Sequence, residues 1–132
     1  MAKTERRPAK RRKARVATIP KHIELVIRAA EDKQAFDITV LDLRNAFGFT
    51  DHFVICSGSN TSQIRAIADG IIDAVAATGS KPAHLEGYDR SEWVLVDYFD
   101  FVVHVFSPDT RAFYGLERLW GNAERTDVPA SK

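Results

Sequence analysis

Cysteine is nearly absent from this chain of 132 residues: Cys56 stands alone. One thiol makes no intrachain disulfide and no CxxC metal site. Long apolar runs are also missing, and the longest fall far short of the roughly 20 residues of a membrane span. The basic start is followed by no hydrophobic signal segment, which argues against secretion and for a cytoplasmic chain. Neither GxxxxGK[ST] nor GxGxxG occurs among the seven glycines. The four histidines, His22, His52, His84 and His104, form no HExxH set. What is present is 45% apolar residues, enough for a real core, in a length suited to one domain.

The net charge of +1 conceals an uneven distribution. Residues 1–15 carry eight basic groups and one acid, a net of +7, while the remaining 117 residues carry a net of −6. The segment has no apolar period and can bury almost nothing, so residues 1–17 are expected to be a disordered basic tail. Arg6, Arg7, Lys10, Arg11, Arg12, Lys13 and Arg15 are candidates for RNA contact through counterion release; the alternative is a solubilising tail without a partner. An ordered domain is expected over 18–121, followed by a frayed C-terminal tail over 122–132.

Thr18 can cap a first helix that holds Pro20 in its first turn. Ile23, Val26, Ile27 and Ala30 then recur at helical spacing. Asp37 to Leu43 alternates, with Ile38, Val40 and Asp42 on one face and Thr39, Leu41 and Leu43 on the other, which predicts a strand. After a loop around Gly48, Phe53–Cys56 is a short apolar strand. Asn60 and Gln63 resemble a capping box for a helix with Ile64, Ile67, Ala68, Ile71, Ile72 and Val75 on its apolar side. Pro82–Glu86 suits an edge strand. Trp93–Tyr98 and Phe101–Phe106 are joined too tightly for a parallel crossover, so they form an antiparallel hairpin. Ser107, Pro108 and Asp109 begin a last helix whose apolar face is Phe113, Leu116, Leu119 and Trp120. The order implies an α/β fold with one mixed β-sheet flanked by helices.

Catalytic chemistry is hard to place. Asp97 and Asp100 flank the hairpin and read as a hydrophilic turn, since a hard cation needs several converging oxygens and no loop collects them. His104 lies inside an apolar strand and reads as hydrogen-bonded or partner-facing rather than as a general base. Cys56 reads as an inert buried thiol. The Ser57–Ser62 loop before a helix could hold an anion on backbone N–H groups, which leaves nucleotide binding as the enzymatic alternative. No metal and no cofactor are expected. Aromatic side chains favour recognition instead, because they bury area at interfaces at small entropic cost. Trp93, Tyr98 and Phe99 are the candidates for partial exposure. A homodimer through a sheet edge or helix face is left open.

Several motifs in order are similar to one known family. They are Asp37–Leu43, Thr50-Asp51-His52-Phe53-Val54-Ile55-Cys56-Ser57-Gly58-Ser59, Gln63–Asp69, Glu86-Gly87, Trp93–Asp97, Val102–Phe106, Arg111–Tyr114 and Leu116–Trp120. Over about residues 20–123 the chain resembles the ribosomal silencing factor, or Iojap, family. The resemblance implies a nucleotidyltransferase-like fold without catalysis. It implies binding to the large ribosomal subunit through its fourteenth protein, blocking small-subunit joining when nutrients are scarce; organellar relatives serve large-subunit assembly. The candidate partner-binding residues are Trp93, Asp97, Tyr98, Phe99, His104, Asp51, His52, Glu86 and Tyr114. The chain departs from many relatives at Phe99 and Phe101, where they carry Gly and Val.

Overall fold

The computed structural model describes residues 19–45 and 49–130. The basic tail with its candidate RNA-contacting residues, the Thr18 cap and Gly48 lie outside the described residues. The first helix, α1 (Lys21–Asp32), begins after Pro20. Pro20 is therefore the N-cap and not a first-turn residue, and its carbonyl accepts from the N–H groups of Ile23 and Glu24, each at 3.0 Å. The predicted stripe of Ile23, Val26, Ile27 and Ala30 is buried.

The strands are β1 (Phe36–Asp42), β2 (His52–Ser57), β3 (His84–Glu86), β4 (Trp93–Asp97), β5 (Phe101–Phe106) and β6 (Glu124–Asp127). They form one six-stranded sheet in the order β3-β4-β5-β2-β1-β6. β2 and β5 are parallel at its centre; every other pairing is antiparallel. The expected hairpin of β4 and β5 and the edge position of β3 are both seen. β6 differs from expectation: residues 124–127 pair with β1 where a frayed end is predicted. Its sequence, Glu-Arg-Thr-Asp, has no apolar alternation to announce a strand, and its pairing comes from the neighbouring edge of β1.

The long second helix, α2 (Thr61–Ala76), starts as its sequence predicts. Asn60 Oδ1 accepts from the Gln63 N–H at 2.9 Å, and the Gln63 side chain accepts from the Ser59 N–H. The same Gln63 amide donates to the carbonyls of Lys33 and Gln34, so one side chain caps α2 and fastens the end of α1. α1 and α2 cover one face of the sheet, enclosing Ile38, Val40, Val54, Cys56, Val94, Val96, Val103 and Val105.

The C-terminal helix is broken. α3 (Pro108–Tyr114) and α4 (Leu116–Leu119) meet at Gly115, which has a left-handed φ of 56°. Ser107 caps α3 as expected, accepting from the Thr110 N–H at 3.2 Å. The break changes what the helix buries. Leu116 is buried, but Phe113 is 77% exposed and Leu119 71% exposed, against the expectation that both pack inward. Among the described residues no helix is long and apolar enough to cross a membrane.

Candidate functional site

Alternation decides what the second face of the sheet displays, because side chains two apart share a face. One cross-strand row there runs Glu86, Leu95, His104, Ile55, Thr39. The next runs His84, Asp97, Val102, Phe53, Leu41, and a third holds Trp93, Phe106 and Ser57. Among the described residues, Leu116 of α4 packs on this face together with Trp120 and Ala123. Trp93, Leu95 and Trp120 are half-buried against a small core of Leu41, Leu43, Phe53, Ile55, Val102, Phe106 and Leu116.

Rings connect across this face without a gap. Phe49 lies 5.6 Å from Trp120, Trp120 5.6 Å from Phe53, and Phe53 4.5 Å from His104. Trp93 stacks on Phe106 at 4.9 Å and meets Tyr114 at 4.6 Å, and Tyr114 meets Phe113 at 5.0 Å. Phe49, Phe113 and Tyr114 are exposed at the ends of this chain of contacts, and Leu119 of α4 is exposed as well. An exposed apolar patch with polar neighbours is the usual form of a protein-docking surface. Glu86 and Asp97 supply negative charge on the β3–β4 side.

The candidate partner-binding residues divide by position. Trp93, Asp97, His104 and Glu86 share this second face, where His104 is buried, and Tyr114 reaches Trp93 from α3. Asp97 also closes the hairpin, its Oδ1 accepting from the Phe99 N–H at 2.8 Å. Phe99 crowns that hairpin at 69% exposure. Asp51 lies beside the hairpin tip, its N–H donating to the Asp100 carbonyl at 2.9 Å. Tyr98 does not share the expected exposure. It faces the helix-covered side, is 8% exposed and stacks on Phe101 at 4.7 Å. His52 points the same way and is buried, with His22 at 6.4 Å. Burial lowers the His52 pKa.

Leu95 and Phe113 belong to the patch and were missed by sequence reasoning, as was Phe49 in its loop. Their signal was apolar periodicity, which is the same whether a partner or the chain's own core provides the cover. The glycine at 115 was the visible mark that the last helix could not bury one continuous stripe.

The enzymatic alternative finds little support at the Ser57–Ser62 loop. The Gly58 N–H donates to the Phe106 carbonyl at 2.9 Å, and those of Ser59 and Gln63 are taken by the capping box. Ser57 is buried and its Oγ accepts from Arg111 at 2.9 Å. Burial pushes the Cys56 thiol up to about 12, so it carries no nucleophilic thiolate at neutral pH. Among the described residues no group of three His, Cys, Asp or Glu could hold a metal ion.

Comparison with known proteins agrees with the sequence motifs. Residues 16–132 match the family model described as ribosomal silencing factor during starvation. The chain is 42% identical over 106 residues to the ribosomal silencing factor RsfS of Bacillus subtilis, covering 80% of this chain and 90% of that one. It is 30% identical over 101 residues to the mouse protein named mitochondrial assembly of ribosomal large subunit protein 1, covering 74% of this chain and 44% of that one. A crystal structure of a Chromobacterium violaceum protein superposes with a TM-score of 0.75 at 33% identity, covering 85% of this chain and 94% of that one. The motif series, the mixed sheet and these matches agree: the chain belongs to the ribosomal silencing factor (Iojap) family.

Proposed function

We propose that this protein is a cytoplasmic translation repressor that binds the large ribosomal subunit through its fourteenth protein. Bound there, it occupies space the small subunit needs and blocks joining of the two. The observation that carries this reading is the chain of aromatic rings on the second sheet face, which ends in exposed Phe113, Tyr114 and Phe49. Large exposed apolar anchors of this kind supply most of the energy of a docked interface. The charge supports a protein partner. A body of net −6 is repelled by RNA phosphates, so it docks on protein and repels the backbone of an incoming subunit. No catalysis is needed for this role.

Co-sedimentation with purified large subunits tests it. The protein should pellet with large subunits and lower the yield of joined ribosomes when small subunits are added. No pelleting, with joining unchanged, would overturn the reading. An accessory RNA contact is favoured by the +7 tail. Deleting residues 1–15 should then flatten the salt dependence of binding, whereas a tail without an RNA role leaves it unchanged. The mouse relative's name favours large-subunit assembly as a second role for the same binding. Accumulation of precursor particles on depletion would reveal it.

A further inference from the structure

We propose that His104 is a positioning residue: it fixes the Trp93 indole on the docking face and acts on the partner only through that indole. The proposal rests on the docking reading above. The Trp93 Nε1–H donates to His104 Nδ1 at 3.0 Å. An indole N–H only donates, so Nδ1 must keep its lone pair and the neutral imidazole carries its proton on Nε2. That tautomer is therefore set by Trp93.

The imidazole cannot itself be a contact. His104 is 3% exposed, and its Nε2 is buried without a hydrogen-bond partner. Leu95 and Ile55 flank it across the strands, and Phe53 meets it edge-on at 4.5 Å. Trp93, by contrast, is only half-buried, held between Phe106 and Tyr114. Its N–H is spent inside the fold, so a partner meets the carbon surface of the ring. The group that lands on Trp93 is therefore apolar, and it is not recognised by offering an acceptor to the indole. Without the imidazole acceptor the indole N–H must seek water, and the ring leaves its place between Phe106 and Tyr114.

Three substitutions in the full-length chain, assayed for binding to purified large subunits and for stability in urea, separate this from a packing role. His104→Leu keeps the volume and removes the acceptor; it should weaken binding about tenfold, the worth of one hydrogen bond. His104→Asn puts Oδ1 near the place of Nδ1 and should bind within about twofold of the parent, although its smaller side chain costs more stability. Binding and stability then rank the two variants in opposite orders, while a packing role ranks them alike. In a Trp93→Phe background, His104→Leu should change binding by less than about twofold. A tenfold loss there would overturn the proposal. If Trp93→Ala folds and binds like the parent, the docking reading fails at this patch. If Trp93→Ala weakens binding and His104→Leu does not, only the positioning role fails. Should His104→Leu not fold, the nitrogen NMR spectrum of the parent decides: a protonated Nδ1 would sink the proposal, and a slowly exchanging indole proton with unprotonated Nδ1 supports it.

Discussion

Arg111 is expected to be the residue whose loss most damages the fold outside the apolar core. It lies in α3, and its guanidinium reaches three other elements. Nη1 donates to the Asp37 carbonyl at 2.6 Å and to Ser57 Oγ at 2.9 Å, joining the helix to β1 and β2. Nη2 lies 3.3 Å from Thr39 Oγ1, and Nε donates to Glu117 Oε2 at 2.8 Å. The Nη2–Glu117 contact is 2.6 Å, with only 12% and 15% of the two side chains exposed. Arg111→Met keeps the stem and removes every donor, stranding the Glu117 carboxylate and the Asp37 carbonyl. Breaking a buried pair in this way costs about 3–5 kcal/mol. The residual exposure favours the lower end, about 3 kcal/mol, from a stability of order 5–15 kcal/mol. In urea melts with m of about 1–3 kcal/mol/M, the midpoint should fall by roughly 1–3 M at unchanged m. Arg111→Lys keeps the charge without the fork and should recover only part of the loss. Adding Glu117→Leu to Arg111→Met removes the stranded charge and should restore stability. A loss below about 1 kcal/mol for Arg111→Met, or no recovery in the double variant, would refute the reasoning.

Phe99 holds a left-handed φ of 71° and is largely exposed, so it packs little and bears the cost of that conformation. Phe99→Gly should therefore stabilise the hairpin by about 0.5–1 kcal/mol, measured as a raised midpoint in urea. Gly87→Ala should act oppositely. A Cβ there would clash with the Trp93 carbonyl oxygen at a φ of 78°, so thermal melts should show a loss above about 1 kcal/mol. Acid should destabilise the protein through His104, whose pKa burial pushes down to about 3. The unfolded imidazole binds its proton first, so this stability is full above about pH 6.5 and lost as pH falls toward 3, at up to about 1.4 kcal/mol per pH unit. His104→Leu should flatten that limb of a stability-versus-pH curve.

Where a pattern is closed within its own segment, the sequence of this protein states its structure. Asn60 and Gln63 are three apart and cap their own helix. Ser107 and Pro108 do the same for α3. The three-residue connection Tyr98, Phe99 and Asp100 forces β4 and β5 to run antiparallel. The misread features depend on what lies across space. Glu124–Asp127 is a strand because β1 offers a free edge, a fact carried by β1 and not by those four residues. Tyr98 is buried because it falls on the same parity as Val94 and Val96, which face the helices; only the pairing register tells which parity is covered. Arg111 looks like any helical arginine until β1 and β2 come beneath it. The broken C-terminal helix shows the same division most sharply. The apolar spacing of Phe113, Leu116 and Leu119 asks for burial, and the chain satisfies it only at Leu116. Phe113 and Leu119 are left exposed on the broken helix. Periodicity records that a stripe is apolar, and only the break at Gly115 decides which of its residues the chain itself buries.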